Sequence, residues 1–210
     1  MSKDSYHHGD LATALTTAAL AMVEQGGPEA VSLRDLAASL GVSRAAPYRH
    51  FADRDALLAA VAAVGFDDLN AIYEEALASP GDGRERLYAL NRGYFAFATR
   101  RPGLHRLMFD YGLLTRERPP QVLIGPADKA YNLLVTAVTE ANPGADAKAI
   151  RARVVTMWST VYGFLSLNTG GRFKPFMIAP LTEDEIVEAV MRAATEPAAT
   201  APVAQGRPIR

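Results

Sequence analysis

The chain of 210 residues contains no cysteine. That excludes a disulfide framework, a cysteine-ligated zinc and a thiol nucleophile. Long hydrophobic runs are missing as well: no uninterrupted apolar stretch approaches the ~18 residues that span a bilayer. The opening residues, MSKDSYHHGD, lack the apolar core of a signal peptide. A soluble cytoplasmic protein with no membrane partner is expected. The formal net charge is −1, so the molecule as a whole is not a polycation that coats nucleic acid. There is no nucleophile-elbow motif and no phosphate-binding glycine loop. Catalysis therefore has little support, and no cofactor is implied. No two segments alternate as a strand pair.

Helix signals dominate what is present. Hydrophobic residues make up 49% of the chain and charged residues 21%, an ordinary globular balance, and the length allows a well-buried core. Residues Gly9 to Gln25 place Leu11, Ala14, Leu15, Ala18 and Met22 on one face, and Gly26-Gly27-Pro28 stop that helix. A long helix is expected from Asp53 to about Ser79, with Leu58, Val61, Gly65, Leu69, Ile72 and Ala76 on one face. Gly65, mid-helix, marks a close approach or a flexible point. Further helices are expected from Arg84 to Arg100, from Pro102 to near Tyr111, from Asp128 to Ala141, and from Asp146 to about Asn168. The last of these carries the stripe Ile150, Val154, Met157, Trp158, Val161 and Leu165. A capping box at Thr182 and Glu185 opens the final helix.

The most informative stretch is Val31 to Leu58, VSLRDLAASLGVSRAAPYRHFADRDALL. Ser32 with Asp35 three residues on reads as a helix cap. Leu33, Leu36, Ala37 and Leu40 then give about two turns of apolar stripe. Gly41 sits where a left-handed residue ends a helix, Val42 plugs the corner, and Ser43 caps a second short helix carrying Tyr48, Arg49 and His50. Pro47 limits that helix to starting near Ser43. From Val31 to Arg54 there are four Arg against two Asp, a local basic excess on a small surface. Phe51 is the expected anchor. This is the build of a helix-turn-helix DNA reader, with Arg and Tyr suited to phosphate oxygens and base edges.

GVSRAAPYRHFADRDALL resembles the recognition segment of TetR-type transcriptional regulators, and YHHGDL at Tyr6 to Leu11 matches the opening of one large branch of that family. Arg101 to Phe109, RPGLHRLMF, and Trp158 to Gly163 resemble the same branch's regulatory domain. Where that branch has His before the glycine, this chain has Tyr162. The resemblance implies a homodimeric regulator, usually a repressor, that binds a pseudo-palindromic duplex and is controlled by a small molecule. It implies an all-α fold of about nine helices: residues 1–54 a DNA-binding domain, 55–196 a regulatory domain, and 197–210 a tail whose Ala and Pro content reads as disordered.

Candidate DNA contacts are Ser32 and Arg34, then Ser43, Arg44, Ala45, Tyr48, Arg49 and His50, then Arg54. His50 has two open readings, a phosphate contact or a cap packed beside Phe51. For Arg54 a surface salt bridge to Asp53 or Asp55 competes with a phosphate contact. His7, His8 and Asp10 are expected to be solvated or to form an arm near DNA, not to bind metal. Candidate effector-pocket residues are Asn91, Tyr94, Phe95, His105, Phe109, Trp158 and Tyr162. Candidate dimer residues are Val155, Tyr162, Ile186, Val187, Val190 and Met191. The competing reading is an all-α carrier or enzyme that keeps the fold without specific DNA binding; it gains if Arg44, Tyr48 and Arg49 pack inside.

Overall fold

The structure, a computed structural model, describes residues 8–196, with side chains from residue 11 onward; Tyr6, His7, the His8 and Asp10 side chains and the 197–210 tail lie outside the described residues. Among the described residues there are nine α-helices: α1 (His8–Gly26), α2 (Leu33–Ser39), α3 (Arg54–Ala78), α4 (Gly83–Arg100), α5 (Pro102–Phe109), α6 (Gln121–Ala141), α7 (Ala147–Thr169), α8 (Pro175–Ile178) and α9 (Glu183–Thr195). The expected all-α class holds, with two differences of detail. The expected helix from Ser43 is replaced by a turn and a 3-10 helix, Pro47–Arg49, and α8 is an extra short helix.

The described residues fall into two compact units, the first made of those up to 76 with 93–133, the second of 77–92 with those from 134 onward. The expected boundary at residue 54 does not separate them. The helical corner packs in one unit with α3, α5 and most of α6, because α5 docks on α1. Gly103 makes that docking possible: a Cβ there would overlap the carbonyl of Val23. Around this contact Arg101 pairs with Glu24 at 2.5 Å and with Asp68, and Arg106 pairs with Glu29. Gly65 does the same work between α3 and α5, where a Cβ would stand 2.6 Å from Met108 Sδ.

By length and composition α3 is long and apolar enough to cross a membrane, a property that counting uninterrupted runs missed. Its apolar residues are mostly buried in the first unit instead, among them Leu57, Leu58, Val61, Phe66, Leu69 and Tyr73. Helix α6 starts at Gln121, seven residues before the expected Asp128, and continues through Pro126. Proline removes one helical donor, the one owed to Val122, and Val122 lies half exposed where water can serve its carbonyl.

The second unit is organised by α7 against α9. Asp146 caps α7 through Ala149 N at 2.8 Å, and the Thr182–Glu185 capping box is formed as expected. Ile150, Val154, Met157, Val161 and Leu165 are buried with Val187, Met191 and Ala194. Trp158 departs from the expected core stripe and is 40% exposed, because it lies one position off the row that faces α9. Arg153 is buried and, among the described residues, has no carboxylate partner. Its guanidinium donates to Ala194 O at 2.7 Å and to Glu196 O, where the negative end of the α9 dipole receives a cation.

Gly103→Ala should lower stability by about 1–3 kcal/mol, since a backbone carbonyl cannot retreat. Gly65→Ala should cost less, because the flexible Met108 thioether is the first atom it meets. Urea unfolding of the two variants beside the wild type checks the order.

Candidate nucleic-acid interface and small-molecule site

The interface is built from the corner between α2 and the 3-10 helix. Ser32 has extended backbone and its Oγ accepts from Asp35 N at 3.3 Å, opening α2. The helix closes with two bonds, Val42 N to Ala37 O at 3.0 Å and Gly41 N to Ala38 O at 3.2 Å, with Gly41 at φ 66°. This paired closure needs a left-handed residue in that position, which glycine supplies without strain. Leu33, Leu36 and Ala37 are buried and hold α2 to the unit.

Beyond Ser43 the chain does not form an α-helix. Such a helix would need the residue-47 N–H to reach Ser43 O, and Pro47 has none. Ser43 O accepts from Ala46 N at 2.9 Å instead, and tighter bonds follow, Arg49 N to Ala46 O at 3.2 Å and His50 N to Pro47 O at 3.0 Å. Pro47 is buried, while Phe51, the expected anchor, is only half-buried. The proline that shortens the element also fixes it to the fold. Its apolar ring among polar neighbours was the available signal.

This anchoring leaves a solvent-facing cluster. Arg34, Ser43, Arg44, Ala45 and Arg49 are exposed, and Tyr48 is 58% exposed although tyrosine is large and half apolar. Ser32 and His50 are half-buried beside them. Arg54 is placed differently. Its Nε donates to Val31 O at 2.9 Å, one terminal nitrogen donates to Tyr111 Oη at 2.6 Å, and the other donates to Pro28 O. Asp55, 4.0 Å away, also pairs with Arg116 at 2.8 Å. Arg54 thus ties the start of α3 to the 3-10 corner after α1 (Pro28–Ala30) and to the segment after α5. Tyr111, its partner from across the sequence, gave no signal in the sequence.

Of the expected effector residues, the first unit brings together Tyr94, His105 and Phe109. Tyr94 Oη lies 2.8 Å from His105 Nε2, both side chains being buried. Phe109 meets Tyr94 edge-on at 6.0 Å and His105 at 4.9 Å, and Phe66 of α3 meets Phe109 edge-on at 5.5 Å. Phe95 is half-buried. Burial pushes the His105 imidazole down to about 4, with Asp110 opposing the shift. Burial, and then the neighbouring Tyr94, raises the Tyr73 phenol well above the ordinary tyrosine range. The surroundings of these rings disfavour charge. The other expected pocket residues lie in the second unit. Asn91 is buried and donates to Thr195 Oγ1 at 3.4 Å. Trp158 and the half-buried Tyr162 lie on the α7 face that also shows Val155, 60% exposed.

The expected dimer set divides by burial. Val155, Tyr162, Ile186 and Val190 keep exposed area. Met191 is fully buried in its own chain and Val187 nearly so, so neither has surface to offer a partner. Spacing alone merged the two faces of α9, because four apolar residues within six positions cover more than one stripe. Among the described residues, no group of three or more His, Asp or Glu side chains is placed to hold a metal ion.

His105 makes stability depend on pH. Its folded pKa lies below the unfolded value, so the unfolded chain binds more protons between about pH 6.5 and 4. The stabilisation is complete above that window and is lost as pH falls through it, on the order of 3 kcal/mol in all. Urea unfolding at pH 7 and pH 4.5 should show a larger loss for the wild type than for His105→Gln.

Comparison with known proteins agrees with this geometry. Residues 15–61 match the tetR family of bacterial regulatory proteins, and residues 87–194, more than half of the chain, match the tetracyclin repressor-like C-terminal domain. A solved protein of unknown function from Rhodococcus sp. RHA1 is 32% identical, with 92% of this chain and 97% of that one covered and a TM-score of 0.76. The putative regulatory protein SCO4313 shares the fold at 20% identity and TM-score 0.71, covering 92% and 98%. PfmR, a TetR-family transcriptional regulator from Thermus thermophilus, shares it at 21% identity and TM-score 0.59, covering 87% and 96%. No curated protein matches the sequence. The chain belongs to the tetR family and is a DNA-binding transcriptional regulator.

Proposed function

We propose that the protein is a cytoplasmic repressor that binds a pseudo-palindromic operator as a homodimer and leaves it when a small molecule binds. The observation that carries the DNA contacts is the exposure of Arg44, Tyr48 and Arg49 on an element whose anchor, Pro47, is buried. A backbone that is already fixed need not be ordered on docking, which leaves only the side chains' rotamer freedom to be lost. The same exposure speaks against a carrier or enzyme that merely keeps the fold. Arg44 and Arg49 serve phosphates and base edges, Tyr48, Ser43 and Arg34 position the corner on the backbone, Ala45 allows close approach, and Ser32 and His50 flank the contact. Arg54 is left out of this set, because its donors already serve Val31, Pro28 and Tyr111.

The dimer is assigned to the α7 face bearing Val155, Trp158 and Tyr162, with Ile186 and Val190 of α9. The effector is assigned to the cluster of Phe66, Tyr94, His105 and Phe109. Helix α5 then carries the signal inside the first unit. His105 and Phe109 face the cluster, while Arg101, Gly103 and Arg106 of the same segment grip the end of α1 and the corner after it. A ligand that displaces α5 shifts α1 with it. It releases DNA only to the extent that it binds the shifted state better.

Fluorescence anisotropy with an operator selected from genomic fragments tests the DNA reading. Affinity should fall steeply with salt, and half-sites should lie about one helical turn apart. Equal affinity for operator and random duplex would sink it. Arg49→Ala should weaken operator binding by about 1–3 kcal/mol and leave stability within about 0.5 kcal/mol. Arg54→Ala should do the reverse in the first instance, lowering unfolding stability by roughly 2–3 kcal/mol as three buried or half-buried acceptors lose a charged donor. Operator titration and urea unfolding of the same two variants separate reading from scaffolding.

A further inference from the structure

Asn70 of α3 is 2% exposed, one of the few buried polar side chains in the first unit. Its Nδ2 donates to Pro126 O at 3.0 Å, across to α6. That bond fixes which way the amide points: turned over, it would set two carbonyl oxygens against each other. Oδ1 is therefore held on the other side, and among the described residues it has no hydrogen-bond partner. A buried acceptor without a donor is costly and rare in a folded protein. Leaving out the polar atoms altogether would have been cheaper, since a leucine has nearly the same size.

The surroundings say what such an acceptor is suited to hold. Asn70 lies on α3 between Phe66 and Tyr73, at helical spacing four before and three after, so the three share one face. Phe66 leads from that face to Phe109, and through Phe109 to His105 and Tyr94. Tyr73 is buried as well, and burial, then the neighbouring Tyr94, disfavours its ionisation. Asn70 thus shares a helix face with two aromatic side chains, and that face leads into a cluster that burial keeps uncharged at neutral pH. Aromatic edges and faces select a flat ring, and burial rejects an ion. The one unmet need is for an O–H or N–H.

We propose that Asn70 Oδ1 is the polar anchor of a small-molecule site on the first unit that takes a neutral aromatic compound bearing an O–H or N–H donor. This deepens the effector assignment above and rests on the reading of the Tyr94–His105–Phe109 cluster as the effector site. It names the ligand class and adds Asn70, which neither the sequence nor the comparisons single out. Phe109 is the partly exposed ring of the cluster.

Phenol and toluene are the probes, because hydroxyl and methyl are close in size and differ in the donor. Titration calorimetry on the full dimeric chain should give phenol about a tenfold advantage over toluene, the worth of one hydrogen bond to a buried acceptor. In Asn70→Leu the preference should reverse, since the anchor is gone and the more apolar ring gains. The wild-type comparison stands by itself if that variant does not fold. Ring-current shifts in the Phe66, Tyr94 and Phe109 resonances should saturate with the same constants. Equal affinities, or no saturable binding of phenol, would overturn the proposal. So would retention of the phenol preference in folded Asn70→Leu. Operator binding is read separately by anisotropy. Its absence would remove the repressor reading while leaving the phenol result intact, so the two failures are distinguishable.

Discussion

The approach of α5 to the end of α1 is the contact on which the first unit turns. It depends on a missing side chain: Gly103 lets one backbone lie directly on another at Val23. Three ion pairs made by Arg101 and Arg106 then surround it. Each is partly exposed and worth little alone. Their value lies in arrangement, because they fix the rotation of a short helix that the glycine contact has already brought close. The exposed corner after α2 packs on α1, and α1 in turn packs on an element whose other side meets the aromatic cluster.

Much of the reader was legible in advance because its rules are local. A serine cap, a glycine at the left-handed closing position and an apolar stripe of two turns each depend on residues within a few positions, and all three are present where the spacing put them. What local rules got wrong was the element after Ser43. A proline in the first turn of a helix is usually harmless, but here the element is so short that one lost bond decides its type. The 3-10 turn that results is stiffer and buries its proline. The start of α6 was placed seven residues late: Pro126 sits inside that helix, and the exposure of Val122 makes the missing donor tolerable.

The candidate sites were legible in proportion to how little they depend on distant partners. Exposure of Arg44, Tyr48 and Arg49 followed from their crowding on a short amphipathic segment. Arg54 could not be read the same way, since its three acceptors come from residues 28, 31 and 111. Trp158 and Met191 exchanged expected places, one outside and one inside, because helical spacing gives a row but not which row faces the partner helix. Asn70 went unread, because a lone amide on a helix face shows its importance only once burial and the bond to Pro126 are known.

The buried Arg153 makes the end of α9 more than a hydrophobic face. Its guanidinium is held by the carbonyls of Ala194 and Glu196, at and just past the end of α9. Burial has already weakened its hold on the proton. A chain cut two or three residues earlier would keep nearly all of the apolar face of α9 yet strand a cation in the interior. Losing the end of α9 would therefore cost more than the apolar area it buries, because the same carbonyls are what a buried guanidinium depends on.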